Sequence, residues 1–178
     1  MEKPIQFCPC CGNRVDYKIP LGETLPRHVC EQCETIHYQN PKLIVGCIPE
    51  YQGKVLMCRR AIEPRSGFWT LPAGFMENLE TTSDGALRET IEETRAHVEI
   101  GPVYCILNLA SFNLVYLFYR ANLVEPVFGP TSESSEVALF GEEDIPWEEL
   151  AFLSIRETLV RYFKDRKKNR YLLHQIDL

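Results

Sequence analysis

A cluster of acidic residues with helical spacing constrains this chain more than any other feature. Glu89, Glu92 and Glu93 lie 15 to 19 residues after Gly74. In an α-helix over residues 81–95, which turns by about 100° per residue, these acids fall within an arc of about 100°. Like charges on neighbouring helical positions destabilise a helix by roughly 0.2–0.5 kcal/mol per pair, so a cation is expected to neutralise them. The opposite side of the helix is expected to be buried through Leu87, Ile91 and Val98.

The cation expected beside these acids is Mg²⁺ or Mn²⁺. Both are hard ions that take oxygen ligands, keep part of their water shell and meet phosphate oxygens where carboxylates converge. The alternative is an ordinary amphipathic helix that shows its Glu pairs to solvent. Two further features favour the metal: Gly74 and Glu80 stand at fixed offsets upstream, and Arg88 lies one helical turn before Glu92.

This segment resembles the Nudix box, G-x5-E-x7-R-E-U-x-E-E-x-G-U, in which U is aliphatic. The positions that match are Gly74, Glu80, Arg88, Glu89, Glu92 and Glu93. Thr90 and Ala96 stand at the aliphatic positions, and Arg95 replaces the last Gly. That Gly normally ends the helix in a left-handed conformation, which costs an Arg roughly 1–2 kcal/mol if the geometry is kept. The resemblance implies an α+β fold, an α-β-α sandwich around a mixed sheet, and hydrolysis of a nucleoside diphosphate linked to another group X.

The same resemblance implies a role for each residue of the box. The implied ligands of magnesium or manganese are the carbonyl oxygen of Ala73 and the carboxylates of Glu89, Glu92 and Glu93. Arg88 is implied to hold the box acids through an i,i+4 pairing with Glu92, and it is also a candidate substrate contact. Glu80 is similar to the family's structural acid in the loop before the helix. A bound metal would lower the pKa of a water and offset charge on the phosphorus under attack.

A general base is expected beside the metal. Family members use either a box Glu or an acid on a later loop, and this chain offers Glu133 and Glu136 there. Glu136 stands just before an apolar run with strand character and best resembles the family's loop acid, so we predict it to be catalytic. A solvated loop acid is the alternative for both residues.

Four cysteines near the start of the chain form the second strong motif. They make two C-x2-C pairs at the spacing of a four-thiolate zinc site, and they are Cys8, Cys11, Cys30 and Cys33. Cys10 is predicted to be a bystander, with His28 and His37 as substitute ligands. Disulfides are the alternative, but no apolar signal-peptide region precedes Cys8, which favours a reducing, cytoplasmic compartment. Other thiols fall in apolar runs and are predicted to be buried: Cys47, Cys58 and Cys105.

Length and composition favour a small zinc ribbon over residues 1–40 and one larger domain over residues 41–178. The chain has 178 residues, of which 45% are hydrophobic and 25% charged. Its net charge of −6 argues against binding DNA or RNA, and it has no apolar run of about 18 residues that could span a membrane. Strands are predicted over 43–48, 54–59, 97–109, 112–124 and 137–140. A capping box at Ser154 and Glu157 predicts a last helix that ends near Lys167.

The ribbon, the junction over residues 38–42 and residues 68–74 resemble the zinc-ribbon branch of the Nudix family, and within it the plant plastid FAD pyrophosphatase. That likeness implies a substrate with an ADP half, FAD or ADP-ribose, cleaved to AMP plus FMN or ribose 5-phosphate. NADH pyrophosphatases share the branch, but their S-Q-P-W-P-F-P motif has no counterpart over residues 97–122. Aromatic candidates for stacking on the adenine or flavin, with core packing as the alternative, are Phe68, Trp69 and Phe112.

Two other functions stay open at this stage. A degenerate box, with Thr90 and Arg95 at altered positions, would suit a regulator that binds a nucleotide without cleaving it. A ribbon that binds nucleic acid would suit a pyrophosphatase acting on capped RNA, although residues 1–40 are not strongly basic. The family resemblance also implies a homodimer.

Overall fold

The computed structural model describes residues 4–178, which form two compact units that meet in sequence at Pro41 and Lys42. The first unit is a three-stranded antiparallel sheet in the order β1-β2-β3. Its strands are β1 (Val15–Lys18), β2 (Arg27–Cys30) and β3 (Ile36–His37). Few of its apolar side chains are buried, and two of those are the cysteines Cys8 and Cys30. A unit with so small a core needs another source of stability, such as a bound metal.

The second unit contains eight strands and two α-helices. In chain order they are β4 (Lys42–Tyr51), β5 (Lys54–Arg60), β6 (Trp69–Thr70), β7 (Ala73–Phe75), α1 (Thr82–Thr94), β8 (Val98–Leu109), β9 (Leu114–Leu123), β10 (Ser134–Phe140), α2 (Leu153–Lys167) and β11 (His174–Asp177). Short 3₁₀ helices cover Ala110–Phe112, Glu142–Asp144 and Trp147–Glu149. None of the helices within residues 4–178 is long and apolar enough to cross a membrane.

The eight strands form one mixed sheet in the order β10-β5-β4-β9-β8-β11, with β6 beside β5 and β7 beside β4. The pairs β4–β9 and β8–β11 are parallel and the others are antiparallel. A turn at Gln52 and Gly53, both with positive φ, joins β4 and β5, as expected for a tight hairpin. Only two residue pairs hold this hairpin before the strands separate and take β7 and β6 as partners. The box segment begins in β7, which pairs with β4 where β4 and β5 have separated.

Each face of the sheet is covered by one helix, which confirms the predicted α-β-α sandwich. Along β4 and β5 the side chains alternate: Val45 and Leu56 pack with α1, while Ile48 and Met57 pack with α2. The apolar face of α2 consists of Ile155, Leu159, Tyr162 and Phe163, all buried. The sheet therefore holds α1, the box helix, against one face over its whole length.

The two helix starts differ in how well the sequence predicts them. Thr81 caps α1 at the start expected for a helix over residues 81–95, because its hydroxyl oxygen accepts a hydrogen bond from the Asp84 backbone N–H at 3.1 Å. The predicted capping box of α2 is wrong. The helix begins at Leu153, one residue before Ser154, and the Ser154 side chain is buried without capping the helix. Glu157 instead forms an ion pair with Arg161.

Candidate metal and pyrophosphate site

The helix α1 turns Glu89 and Glu93 toward the sheet, and this orientation corrects our expectation. Leu87 and Ile91 are only half-buried, while the buried positions are Gly85, Ala86, Glu89, Thr90, Glu93 and Thr94. The Thr90 hydroxyl donates to the Ala86 carbonyl at 2.8 Å and the Thr94 hydroxyl to the Thr90 carbonyl at 2.5 Å. Because small side chains with satisfied hydroxyls line this face, the helix lies close to the sheet and carries two carboxylates inward.

The end of α1 keeps the box geometry without the box glycine. Arg95 adopts a left-handed conformation with φ 59°, and its N–H donates to the Ile91 carbonyl at 2.7 Å. The strain expected for an L residue at this position is therefore present, and the exit of the helix is that of a glycine-terminated helix.

Gly74 is required because the carboxylate of Glu89 occupies the place of its side chain. A Cβ at Gly74 would lie 2.3 to 2.4 Å from all three carboxyl atoms of Glu89. Gly85 is similarly constrained, since a Cβ there would lie 2.7 Å from Oε1 of Glu80 and 2.9 Å from Val45. The two glycines thus let β7 and α1 close around the acids.

Arg88 hydrogen-bonds to three acids of the box, Glu80, Glu89 and Glu92. Its guanidinium donates to both carboxylate oxygens of Glu80 at 2.8 and 3.0 Å, to Glu89 at 2.8 Å and to Glu92 at 3.0 Å. It also donates to the Phe75 carbonyl at 3.2 Å. The hydrogen bonds from Arg88 lower the pKa of Glu80 to about 2, so Glu80 is a permanent anion that fixes this guanidinium. These contacts match the structural roles that the resemblance implies for both residues, and they leave Arg88 little freedom to bind a substrate.

Glu93 and Glu89 are the two acids whose surroundings disfavour their charge. Glu93 is 6% exposed and Glu89 is 9% exposed. Burial raises the pKa of Glu93 to about 7, although the Ala73 N–H donates to its Oε2 at 3.0 Å. Burial also raises the pKa of Glu89. The charges of Glu92 and Glu133 raise this pKa as well, while Arg88 lowers it. A divalent cation beside two neighbouring acids would offset the cost of ionising them, so this pair suits a cation site.

The donor set fits Mg²⁺ or Mn²⁺. Two inward carboxylates, the exposed carboxylate of Glu92 on the same helix and the backbone of Ala73 beside Glu93 are all hard oxygen donors. Part of the coordination sphere would stay with water and phosphate, since Mg²⁺ keeps several waters in protein sites.

The loop acids are placed differently from our prediction. Glu136 pairs across the strands with Arg59, its carboxylate lies 3.1 Å from the Arg59 guanidinium, and Arg59 also approaches Glu149 at 3.7 Å. Since Cys58 points to α1, its neighbour Arg59 and the paired Glu136 point to the opposite face of the sheet. A bulge between Ser134 and Glu136 sets this register. Glu136 is thus held by Arg59, and its role as the catalytic base stays a prediction, while the charge of Glu133 helps to raise the pKa of Glu89.

The four predicted zinc ligands converge in the first unit. The sulfur atoms of Cys8, Cys11, Cys30 and Cys33 all lie within 4.8 Å of one another. Tetrahedral zinc with bonds of about 2.3 Å separates its sulfurs by about 3.8 Å, so the cluster fits the ion. Cys10 lies outside the cluster and is exposed, and His28 is not part of it either. His37 contributes differently: its Nε2 lies 3.3 Å from the Cys8 sulfur, close enough to hydrogen-bond a zinc-bound thiolate.

Comparisons with known proteins match both units. A family model described as the NUDIX domain covers residues 40–170, and one described as Nudix N-terminal, a zinc ribbon, covers residues 6–39. The chain belongs to the Nudix hydrolase family. A crystal structure of a NUDIX hydrolase from Nitrosomonas europaea is 51% identical in sequence, with a TM-score of 0.94 over 97% of this chain and 98% of that one.

Two relatives with assigned activities match the Nudix domain over a shorter stretch. An NAD-capped RNA hydrolase NudC of Vibrio parahaemolyticus is 36% identical over 101 residues, which cover 56% of this chain and 36% of that protein. An ADP-ribose pyrophosphatase of Methanocaldococcus jannaschii is 39% identical over 90 residues, which cover 49% of this chain and 53% of that protein. The Nudix chain thus aligns with about a third of the length of the NudC relative.

The aromatic candidates of the Nudix domain occupy three different environments. Trp69 is 7% exposed and packs edge-on against Phe140 in the core, so its ring serves packing. Phe68 is half-buried, and its carbonyl accepts the backbone N–H of Arg60 at 2.9 Å. Phe112 is exposed in a 3₁₀ helix. Of the three, Phe68 has the surroundings that best suit a ligand contact.

Two residues beside the box acids, Arg60 and Cys58, were not predicted from the sequence to belong to the site. The guanidinium of Arg60 lies close enough to lower the pKa of Glu93, and it forms no ion pair with any residue in the range 4–178. Cys58, predicted only to be a buried thiol, has its sulfur 3.6 Å from Oε2 of Glu93. Alternation along β5 puts both residues on one face of the sheet, but only the position of α1 shows that this face carries the acids.

Proposed function

We propose that the Nudix domain hydrolyses the pyrophosphate bond of a dinucleotide with an ADP half, ADP-ribose or FAD, to AMP plus ribose 5-phosphate or FMN. The observation that carries this proposal is the buried pair Glu89 and Glu93, both with raised pKa values, with Glu92 beside them on the same helix. Such a pair costs the fold stability unless a cation neutralises it, and pyrophosphate oxygens are the natural remaining ligands of that cation.

Each residue of the site has a defined task in this proposal. The carboxylates of Glu89, Glu92 and Glu93 and the carbonyl of Ala73 hold Mg²⁺ or Mn²⁺. When bound, the metal lowers the pKa of a water and offsets charge on the phosphate. Arg88 keeps the acids in register through the contacts to Glu80, Glu89 and Glu92. The guanidinium of Arg60 has no carboxylate partner among the described residues and lies 5.4 Å from the centre of the Phe152 ring, and it is the cation available to a phosphate oxygen. The Phe68 ring, with the Arg65 guanidinium 5.1 Å from its centre, can stack on a base.

We assign the loop base to Glu133. This acid is exposed, and its charge contributes to the raised pKa of Glu89, which supports a position near the box acids. Glu136 serves as the matched control because it lies nearby in β10 but pairs with Arg59 on the other face of the sheet. Glu133→Gln is expected to lower kcat by about 10²-fold or more, and Glu136→Gln to leave it within a few fold. The reverse order would restore Glu136 to the catalytic role.

The substrate assignment is supported by the ADP-ribose pyrophosphatase relative and by the likeness of the ribbon and junction to the plant plastid FAD pyrophosphatase. A second candidate is the NAD-capped end of an RNA, favoured by the NudC relative. The missing S-Q-P-W-P-F-P motif after the box argues against an NADH pyrophosphatase. In either case zinc is assigned to folding of the ribbon. Homodimer formation, a cytoplasmic location and the domain boundary at residue 40 stay predictions.

One substrate panel tests the proposal. The zinc-loaded protein is incubated with Mg²⁺ and, separately, ADP-ribose, FAD, NADH and an NAD-capped RNA oligonucleotide, and the products are identified by mass. AMP is expected from ADP-ribose or FAD, and Glu93→Gln is expected to remove at least 99% of its release. Glu99→Gln is the control, because Glu99 is an exposed acid on β8 outside the cluster.

Three outcomes would change the assignment. Turnover that survives Glu93→Gln would contradict the site. Preferential cleavage of the capped RNA would select the second candidate. Tight nucleotide binding without cleavage at any metal concentration would select the regulator.

A further inference from the structure

The oxygen Oε2 of Glu93 is held from the protein side by two donors. The backbone N–H of Ala73 donates to it at 3.0 Å, and the sulfur of Cys58 lies 3.6 Å away. Cys58 sits in β5 with no exposed surface, and its other acceptor within reach is the Thr70 carbonyl at 3.8 Å. A buried sulfur beside a carboxylate keeps its proton and donates to the charged oxygen in preference to a neutral carbonyl.

Within residues 4–178, only the Ala73 N–H and the Cys58 thiol hydrogen-bond to Oε2 of Glu93. Ser134 lies across from Arg60 on the neighbouring strand and is buried near the Cys58 thiol, but its hydroxyl makes no hydrogen bond to Glu93. Arg60 acts on Glu93 through its charge, while its Nε donates to the Pro64 carbonyl. The orientation of the Glu93 carboxylate therefore depends on the Ala73 N–H and on the Cys58 thiol.

We propose that Cys58 is a positioning residue of the metal site: with the Ala73 N–H, it holds Oε2 of Glu93 and leaves Oε1 free to bind a metal. This inference rests on the proposed function. Without the S–H group one donor is left, and the carboxylate is free to rotate about that single contact. Groups that orient a metal ligand from behind typically change metal affinity 10–100-fold when removed, so Cys58→Ala is expected to weaken Mn²⁺ binding about 10-fold.

The buried thiol of Cys105 provides a matched control. It also has no exposed surface, it lies in β8 within the core on the α2 side, and Cys105→Ala deletes the same atom. Both alanine variants lose the same volume, so a general loosening of the fold affects them alike. Cys58→Ser keeps a donor and is expected to rescue most of the affinity. Cys58→Val keeps the volume without the donor, and it carries the test if Cys58→Ala folds poorly.

The experiment is a Mn²⁺ titration of the zinc-loaded protein without substrate, followed by the electron paramagnetic resonance signal of free Mn²⁺. Cys58→Ala and Cys58→Val should raise the Kd about 10-fold, Cys58→Ser should stay within about 3-fold of wild type, and Cys105→Ala should match wild type. Wild-type affinity in both donor-free variants overturns the inference, as does an equal loss in Cys58→Ala and Cys105→Ala. A wild-type protein that neither binds Mn²⁺ nor cleaves any dinucleotide overturns the proposed function as well, so the two failures are distinguishable.

Discussion

Replacing Glu93 with Gln is expected to stabilise the Nudix domain while it removes activity. Burial raises the pKa of Glu93 from 4.5 to about 7, so the folded protein holds this proton more tightly than the unfolded chain. The free energy of unfolding therefore falls as the pH rises from about 4.5 to about 7, and it is level above that range. One pKa unit corresponds to about 1.4 kcal/mol, so the ionised carboxylate destabilises the metal-free protein by up to about 3 kcal/mol at pH 8.

The neutral amide of the Glu93→Gln variant removes this destabilisation and still fills the space of the carboxylate. Its oxygen can still accept the Ala73 N–H, and it carries no charge at any pH. Glu93→Gln is therefore expected to gain up to about 3 kcal/mol over wild type at pH 8 but less than about 1 kcal/mol at pH 5, where the wild-type acid is protonated in the folded state and only the unfolded chain is partly ionised. Saturating Mg²⁺ should stabilise the wild-type protein at pH 8 by binding only its folded form, and it should have much less effect on the variant.

Urea unfolding at pH 5 and pH 8 in magnesium-free buffer provides the assay. The fluorescence of Trp69 and Trp147, the two tryptophans of the chain, reports on the Nudix domain, because both lie in the second unit. Glu99→Gln again serves as the control and should follow the wild type at both pH values. The reasoning is refuted if the variant is no more stable than wild type at pH 8, or if both proteins lose the same free energy between pH 5 and pH 8.

Four further changes have defined outcomes. Gly74→Ala puts a methyl group about 2.3 Å from the Glu89 carboxylate, so turnover should fall at least about 10-fold, and unchanged turnover would mean that Glu89 is not needed in this position. Arg88→Gln leaves three acids without their shared cation and should lower both the melting temperature and turnover, measured by calorimetry and AMP release. Arg95→Gly relieves a left-handed Arg and should add about 1 kcal/mol in urea unfolding; no gain would contradict the strain. Cys33→Ser should reduce bound zinc from one ion per chain toward zero by elemental analysis, and retained zinc would exclude the four-thiolate site.

The cysteine cluster and the spacing of the box acids could be predicted from the sequence because their residues have fixed offsets within short segments. In the box, a helix places Glu89, Glu92 and Glu93 on neighbouring turns whatever the rest of the fold does. In the ribbon, each C-x2-C turn aims two sulfurs at one point. The sandwich fold followed from the resemblance, and the alternating pattern of the strands agreed with it.

Features that depend on long-range packing could not be predicted. The side of α1 that faces the sheet is chosen by Thr90 and Thr94, whose hydroxyls are satisfied within the helix, and a hydrophobicity pattern misses this. The direction of Glu136 depends on a bulge in β10 and on its register with Arg59. Contact between Cys58 and Glu93 joins residues 35 positions apart, which only the assembled sheet and helix bring together.

The central claim is that the carboxylates of Glu89, Glu92 and Glu93 bind divalent cations against a pyrophosphate. Anomalous diffraction at the manganese edge, from crystals soaked with Mn²⁺ and ADP-ribose, tests it directly. At least one anomalous peak is expected within about 2.0–2.6 Å of oxygens from these three side chains, in contact with the diphosphate. Carboxylates without an anomalous peak, beside a nucleotide bound elsewhere, would contradict it.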